Sequence, residues 1–366
     1  MLDYKTPNLA KACQILFVLI GGTTVLYFGR SLLIPLTFAL ILAMLLRPLC
    51  RRLERWGIHR AIASVLSILV LVGFFVLILY LLSWQLDQVM RGGDELRERS
   101  IELFSRLQEY ISRQFGLPKN RQQEMLKNGT GGMISSISSL TGHLLGVFVD
   151  IILVLVYIFL FLFFRGHLLN SLIKAVSVEQ KENVRELVSQ AGRVAQQYLM
   201  GLALMIVCLW IMYSIGFSII GVRYAIFFAL LCGTLELIPF FGNITGTLIT
   251  VSMGILQGGD FGLVAGILIT YGSVQFIQSY ILQPWVVGGE VNLNPLFTIL
   301  CIVIGEALWG VAGMVLAIPL FGIIKITCDH FESLKPYGYL LGGPEKRVRK
   351  RSWFKRMVTT LKKRER

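Results

Sequence analysis

Long stretches of the chain contain apolar and small polar residues only. Residues 61–83, 199–220 and 261–289 hold no Asp, Glu, Lys or Arg. A helix crosses the hydrocarbon core of a bilayer, which is about 30 Å thick, with about 20 mainly apolar residues. Each stretch meets that length. The pattern therefore predicts an all-α, polytopic membrane protein.

The first half of the chain alternates such spans with polar segments. Residues 15–46 are apolar except near Gly29 and Arg30, which predicts a helical hairpin that turns at this point. A polar segment, 84–143, follows the span at 61–83, and we name it the outer insert. It contains apolar residues at helical spacing, with helix breaks predicted at 116–118 and 129–132. A span at 144–164 and one amphipathic helix over 166–197 complete this half.

Basic residues give the orientation, because Lys and Arg beside a span resist translocation. Residues 47–60 hold five arginines against one acid, so this loop is expected in the cytoplasm. Residues 331–366 form a basic tail, in which 343–366 hold eleven Lys or Arg and two Glu, out of a net charge of +14. We expect both termini in the cytoplasm and the outer insert outside.

The basic tail raises the question of nucleic acid. Its apolar residues fall at helical spacing among the basic ones, which favours a helix on the membrane surface, bound to anionic lipid headgroups. We therefore expect membrane lipids and no nucleic acid as partners. With the whole chain 55% hydrophobic and 15% charged, below the roughly 25% charged residues of soluble domains, lipid is the expected surroundings.

These observations divide the chain into five parts. They are an N-terminal hairpin with its basic loop and third span (1–83), the outer insert (84–143), a span with an amphipathic helix (144–198), a transport core (199–330) and the basic tail (331–366).

Two apolar segments of the last third are interrupted. Residues 225–255 are broken at Pro239 and Gly242, and residues 296–327 are broken around 306–313. Each arm is shorter than a full span, so both segments predict re-entrant or broken helical hairpins. Non-helical backbone at membrane depth survives where protein or a water-filled cavity surrounds it, and secondary transporters bind substrate at such breaks.

The candidate chemistry lies at these breaks. Glu236 and Glu306 each precede one, and ionisable residues inside a membrane are functional candidates because burying them is costly. Gln275 and Gln278 are three residues apart and share a helix face, where amides can bind a cation or a polyol. Helix-to-helix hydrogen bonding is the alternative role for such amides. The predicted solute or ion site comprises Glu236, Pro239, Gly242, Asn243, Gln275, Gln278 and Glu306. The predicted backbone breaks are Pro284, Pro295, Gly310, Gly313 and Pro319.

Other chemistry has little support in the sequence. Six cysteines and four histidines are dispersed without metal-ligand spacing, so no metal and no cofactor are expected beyond a transported or coupling Na⁺ or H⁺. No GxxxxGK[ST], GxSxG or HExxH motif occurs. Gly258, Gly259 and Asp260 are similar to a GxGD protease motif, but Gln257 replaces its first glycine. We expect no enzymatic activity and no catalytic residues.

Several motifs resemble the AI-2E family, the autoinducer-2 exporters of bacteria. They are Gln-Tyr-Leu-Met-Gly at 197–201, Glu-Leu-Ile-Pro-Phe-Phe-Gly at 236–242, Leu-Asn-Pro-Leu at 293–296, and the glycine-rich run 310–320. The resemblance implies a multi-pass protein of the bacterial inner membrane that exports autoinducer-2 or exchanges sodium for protons. It also implies a homo-oligomer, a pentamer. The chain has Gln278 where the family often has an acid, and Asn294 where it often has His.

The expected function is secondary transport of a small polar solute such as autoinducer-2, coupled to an ion. A Na⁺(Li⁺)/H⁺ antiporter, moving monovalent cations, is one alternative. A non-transporting membrane scaffold is the other. Self-association is also expected because the amphipathic segments outside the membrane carry long apolar stripes.

Overall fold

The fold was analysed in a computed structural model, which describes residues 9–91, 119–239, 241–256, 258, 260–287 and 293–343. These residues are almost entirely helical, and their one β contact is an isolated bridge between Leu293 and Gly342. The helices are, in chain order, α1 Leu9–Phe28, α2 Arg30–Arg55, α3 Arg60–Arg91, α4 Lys119–Lys174, α5 Lys181–Ile219, α6 Ala225–Leu235, α7 Phe241–Leu256, α8 Phe261–Ile277, a π-helix Gln278–Val287, α9 Pro295–His330 and α10 Lys335–Leu341.

Six of the described helical segments are long and apolar enough to cross a membrane. They are Arg30–Arg55, Arg60–Gln85, Gly146–Lys174, Lys181–Ile219, Phe261–Gln283 and Pro295–His330. Large apolar side chains are exposed along most of them, which is the arrangement expected where lipid covers the protein. The all-α, multi-pass architecture predicted from the sequence is confirmed.

The predicted N-terminal hairpin is wrong. Gly29 lies between α1 and α2 with φ −82° and ψ 4°, close to helical values. The Gly29 amide donates to Val25 O at 2.9 Å, and the Leu33 amide donates to Gly29 O at 2.9 Å, so the helical hydrogen bonds continue across the junction. The axis of α1 and α2 therefore bends at Gly29 and does not reverse.

Two further boundaries also differ from the prediction. The predicted break at 129–132 is absent, because α4 runs from Lys119 through the span to Lys174 without interruption. The predicted amphipathic helix over 166–197 is two helices, since α4 ends at Lys174 and α5 begins at Lys181 after a short 3₁₀ turn, Val178–Gln180. Part of the outer insert, 92–118, and the basic tail beyond residue 343 lie outside the described residues.

The N-terminal half packs through a small core between α2, α3 and α4. Ala39 and Ala43 of α2 are buried against Ala63 of α3 and Ile158 of α4. Small side chains let helix backbones approach closely, which is the usual means of helix association in a membrane. Arg165 of α4 forms an ion pair with Glu54 of α2 at the basic end of this bundle.

The C-terminal half packs around one face of α5. Met205, Leu209, Tyr213 and Phe217 repeat every four residues and are buried against α6 and α8. Residues four apart lie above one another on a helix, so this stripe forms one continuous face. It is the surface on which the candidate site is built.

Helices α6 and α7 are antiparallel neighbours joined by a tight turn. Gly242, Gly246, Thr250 and Gly254 recur every four residues on α7, and all four are buried. Cys232 Sγ of α6 lies 3.4 Å from Thr250 Oγ1, and a Cβ at residue 242 would overlap the carbonyl oxygen of Leu235. The glycine face therefore allows the two short helices to pack backbone to backbone.

Helix α9 consists of two arms that fold back on each other. Gly310 has φ 60° and ψ −141°, a conformation that glycine adopts without steric cost. Cys301 and Ile302 before this point share a buried cluster with Ala317 beyond it. Residues so far apart would be separated by more than 20 Å along a straight helix at about 1.5 Å per residue. The chain therefore reverses at Gly310.

Candidate functional site

Glu236 stands at the turn between α6 and α7 and is the C-cap of α6. Its side chain is partly buried. The negative end of a helix dipole at this position favours a cation or a proton beside the carboxylate. A carboxylate at a helix C-terminus inside a membrane protein is therefore an unusual placement that calls for stabilising partners.

Two glutamine amides supply those partners. Gln278 Nε2 donates to Glu236 Oε1 at 3.0 Å, and Gln275 Nε2 donates to Glu236 Oε2 at 3.5 Å. Both glutamines come from the end of α8 and the start of the π-helix, one turn apart, so their amides project on the same side. A short π-helical segment inside an α-helix is a common feature of functional sites.

Gln278 also carries an unsatisfied group. The residue is 6% exposed, and its Oε1 makes no hydrogen bond within the described structure. An ionised carboxylate accepts hydrogen bonds only, so the amide nitrogen must face Glu236 and the oxygen must face away. A buried acceptor without a donor costs free energy, which a ligand hydroxyl or a cation can recover.

Helix α5 supplies the wall behind these side chains. Gln275 Nε2 also donates to the hydroxyl of Tyr213 at 3.3 Å, and Gln278 Nε2 lies 3.9 Å from Met205 Sδ. The ring of Tyr213 stacks with that of Tyr271 at 5.8 Å between centroids. Met205 and Tyr213 bracket the middle of the apolar part of α5, so the site lies midway along that apolar part.

The turn beyond Glu236 is more fully hydrogen-bonded than the sequence suggested. The amides of Glu236, Leu237 and Ile238 donate to the carbonyls of Cys232, Thr234 and Leu235, and the amides of Phe241 and Gly242 donate to Pro239 and Ile238. Pro239 therefore does not leave a group of unpaired carbonyls beside the carboxylate. The tight turn pairs most of them within the backbone.

Gly242 packs against the backbone of Glu236 in the turn that also contains Pro239. Asn243 and Glu306, in contrast, make no hydrogen bond to Glu236 among the described residues. Asn243 is partly buried on α7, where its carbonyl accepts from Thr247 Oγ1 at 2.9 Å. Glu306 is exposed on the first arm of α9, just before the reversal at Gly310, and it has no hydrogen bond or ion pair within the described residues. The structure therefore assembles Glu236, Gln275 and Gln278, and it places Glu306 elsewhere.

The predicted backbone breaks have different roles. Gly313 packs against Gly305 across the reversal of α9, and Pro319 is buried in the second arm. Pro295 is the first residue of α9, after the Asn294 side chain accepts from the Leu296 amide at 3.1 Å. Pro284 lies within the π-helix, and its side chain is outside the described set. Of the predicted breaks, Gly310 is the residue at which the chain reverses, and Gly313 packs beside that reversal.

Sequence reasoning missed the residues of α5. Tyr213 and Met205 contact the two glutamines, but they sit in an uncharged span where nothing distinguishes them from core residues. The available signal was the four-residue repeat of large side chains at 205, 209, 213 and 217, which marks the face that packs against α6.

Metal and protease chemistry gain no support from the geometry. No group of three or more His, Cys, Asp or Glu side chains suited to a metal occurs among the residues the structure describes. Asp260, the acid of the protease-like sequence, is the N-cap of α8, and its Oδ1 accepts from the Leu263 amide at 3.0 Å. Its role in the structure is helix capping.

Comparisons with known proteins agree with this architecture. The family model described as "AI-2E family transporter" matches residues 16–333. PerM, a candidate permease of Escherichia coli (strain K12), is 28% identical over 86% of this chain and 92% of its own length. YueF, a candidate transport protein of Bacillus subtilis (strain 168), is 24% identical over 81% of this chain and 84% of its own. The AI-2 transport protein TqsA of Escherichia coli (strain K12) is 22% identical over 82% of this chain and 87% of its own.

With the family match covering most of the chain and the relatives aligned over most of their lengths, this protein belongs to the AI-2E family and is a multi-pass membrane transporter.

Proposed function

We propose that the protein is a secondary transporter that moves a small polar solute such as autoinducer-2 across the bacterial inner membrane. The observation that carries this proposal is the Glu236 carboxylate held by two glutamine amides, beside a buried amide oxygen that has no donor. Its position midway along the apolar part of α5 supports a site near the membrane midplane, where secondary transporters bind their substrates.

The groups at this site suit a solute with several hydroxyls. Glu236 and Gln278 Oε1 can accept hydrogen bonds, while the Tyr213 hydroxyl can donate or accept. A polyhydroxylated solute offers both donors and acceptors and is neutral, so it enters without a large desolvation penalty. The relative TqsA is named as an AI-2 transport protein, which supports autoinducer-2 as the solute to test first.

Ion coupling in this proposal rests on Glu236. A carboxylate that holds a positive ion in one state and none in another changes the charge of the site during the cycle. Its close neighbours are two N–H donors, and most carbonyls of the adjacent turn are already paired. A hard cation such as Na⁺ prefers a shell of oxygen ligands, so this setting favours a proton as the coupling ion.

The antiporter alternative uses the same carboxylate without an organic solute. An antiporter needs further oxygen ligands for Na⁺ or Li⁺ near Glu236. Gln278 Oε1 would have to be one of them. The scaffold alternative needs no polar group at this depth. The paired Glu236 therefore favours transport over a scaffold.

The decisive experiment is flux in proteoliposomes. The purified protein is reconstituted, and uptake of autoinducer-2, Na⁺ and Li⁺ is measured under imposed proton or sodium gradients. Solute flux driven by a proton gradient is the expected result. Sodium flux without solute flux would establish the antiporter instead, and absence of every flux would leave the scaffold.

The surroundings of the protein complete the proposal. We infer an inner-membrane location with residues 47–60 and the basic tail in the cytoplasm. Because the chain does not reverse at Gly29, the cytoplasmic N-terminus expected from the predicted hairpin is not part of this proposal. A homo-oligomer is inferred from the family resemblance and from the apolar stripes of the amphipathic segments that lie outside the membrane.

A further inference from the structure

A cavity of about 560 Å³ lies between the basic end of α2 and the first part of α5. Five arginines line it, four from α2 and one from α5: Arg47, Arg51, Arg52, Arg55 and Arg193. The other polar side chains at its wall, Ser189 and Gln196, are neutral. We name this cavity the arginine pocket.

The arginine pocket carries positive charge without a counter-ion. None of its five arginines lies within ion-pair distance of an acid among the described residues. Glu54, the one acid of residues 47–60, is already paired with Arg165. The guanidinium of Arg47 lies over Gly192 of α5, with its Nη1 3.5 Å from where a Cβ would be. The pocket therefore brings like charges from two helices together, at the point where the Arg47 side chain lies close to the backbone of α5 at Gly192.

Orientation in the membrane explains some of these arginines but not their convergence. Arginines at the end of α2 are favoured by the helix dipole and by retention in the cytoplasm. Neither effect places Arg193, well inside α5, opposite them around a common cavity. An anion bound between the two helices would offset the repulsion among these arginines. It would also explain why both α2 and α5 contribute arginines to the pocket.

The depth of the arginine pocket indicates the source of that anion. Arg47 directly follows the apolar part of α2, and Gln196 precedes the apolar run 199–220 of α5 by three residues, which is about 4.5 Å along the axis. This level is where phospholipid phosphates lie. Guanidinium groups bind phosphate through paired N–H donors, which is why arginine is preferred at phosphate sites.

We propose that the arginine pocket binds the phosphate headgroup of an anionic phospholipid and that this lipid holds α2 against α5. The cavity is larger than one phosphate requires, so a headgroup with two phosphates fits the five arginines best. This site is separate from the Glu236 site, and it is distinct from surface attraction by the basic tail. A lipid here fastens the N-terminal bundle to the helix that forms the wall of the transport site.

The test compares two matched double variants of the full-length protein in nanodiscs. Arg51→Gln with Arg193→Gln removes one charge from each side of the arginine pocket. Lys181→Gln with Arg185→Gln removes the same charge from exposed positions of α5 outside it. Bound lipid is counted by native mass spectrometry, and the thermal unfolding midpoint is measured in phosphatidylcholine with and without diphosphatidylglycerol.

The wild type and the Lys181/Arg185 variant are expected to retain diphosphatidylglycerol and to unfold at a higher temperature with it. The Arg51/Arg193 variant is expected to bind it about 30-fold more weakly, at about five-fold for each basic residue near a membrane surface. Because both variants keep the basic tail, their difference isolates the arginine pocket.

Equal lipid retention by the two double variants would overturn the proposal. If inorganic pyrophosphate in lipid-free detergent raised the unfolding temperature as much as the lipid does, the anion in the arginine pocket would be a soluble phosphate and the lipid proposal would be overturned. If the Arg51/Arg193 variant does not fold, Arg51→Lys with Arg193→Lys keeps the charge but loses the paired donors. This lysine variant is expected to bind the lipid more weakly than the wild type does. If it binds the lipid as tightly as the wild type, the proposed role of the guanidinium groups is refuted.

Discussion

Replacing Glu236 with Gln tests whether its charge drives transport. The substitution keeps the shape of the side chain and removes the one carboxylate that contacts Gln275 and Gln278 among the residues that the structure describes. The new amide can still accept from Gln278. The nitrogen of the new amide faces Gln275 Nε2, so two donors would meet there. Rotation of the Gln275 amide by half a turn brings its oxygen to this position, where it accepts from the new amide. The same oxygen can then accept from the Tyr213 hydroxyl, which previously accepted from Gln275. The network can therefore re-form without a charge.

The expected cost to stability is small. A hydrogen bond to a charged group contributes about 1.5–3 kcal/mol and one between neutral groups about 0.5–1.5 kcal/mol. Only the 3.0 Å bond from Gln278 has good geometry, since the contact from Gln275 is 3.5 Å. The variant therefore loses about 1–2 kcal/mol, partly offset because a neutral amide is less costly to bury than a carboxylate.

The substitution is expected to abolish coupling although it costs little stability. A neutral amide holds neither a proton nor a cation, so the link between the ion gradient and solute flux should disappear. Coupling free energies between two ligands are commonly about 1–3 kcal/mol, which corresponds to a factor of about 5–150 in flux ratio. Flux of the Glu236→Gln variant should also lose its dependence on pH.

The assay is solute uptake by proteoliposomes across a pH series, with and without an imposed proton gradient. Glu186→Gln is the matched control, because Glu186 also accepts from a glutamine amide, Gln190 Nε2 at 2.9 Å, but on an exposed part of α5. It should keep wild-type flux. A Glu236→Gln variant that assembles normally and keeps the wild-type rate and pH dependence would refute the role of this carboxylate and move the search to Glu306.

Four other outcomes follow from the structure. Gly242→Ala should destabilise the protein by about 1–3 kcal/mol or more in thermal unfolding, because its Cβ overlaps Leu235 O, whereas Gly73→Ala, with open space around it, should not. Gln278→Leu should raise the solute KM at least about ten-fold while the fold persists, and an unchanged KM would exclude this amide from binding. Labels in the outer insert should react only from outside and labels in the basic tail only from inside, and the opposite pattern would reverse the topology. Light scattering in native nanodiscs should show a homo-oligomer, so a monodisperse protomer would contradict self-association.

The sequence alone determined the class of protein and singled out the polar residues of the candidate site. Runs of uncharged residues longer than about 20 positions have few stable solutions besides membrane helices, so the all-α architecture followed from pattern and length. Glu236, Gln275 and Gln278 were identifiable because polar groups in such runs are costly and therefore few. Their types and spacing also indicated that both amides lie on one side of a helix.

Tertiary structure decided which of these groups meet. Glu236 and Glu306 look alike in sequence, since each precedes a break in an apolar segment. The packing of α6 against α5 and α8 brings Glu236 to the amides, while the reversal at Gly310 leaves Glu306 exposed. Contacts between segments distant in the chain depend on how helix faces fit, and local pattern does not encode that fit.

Tertiary structure also decided the bend at Gly29 and the arginine pocket, because local sequence pattern does not encode either of them. A glycine beside a charged residue is compatible with a turn or a bend, and the hydrogen bonds that continue across Gly29 decide for the bend. The arginines of α2 predicted orientation from sequence, but Arg193 joins them only because Gly192 lets α5 approach Arg47. The sequence thus determined the charge and apolarity of each helix, whereas close packing of their faces determined which charges share a site.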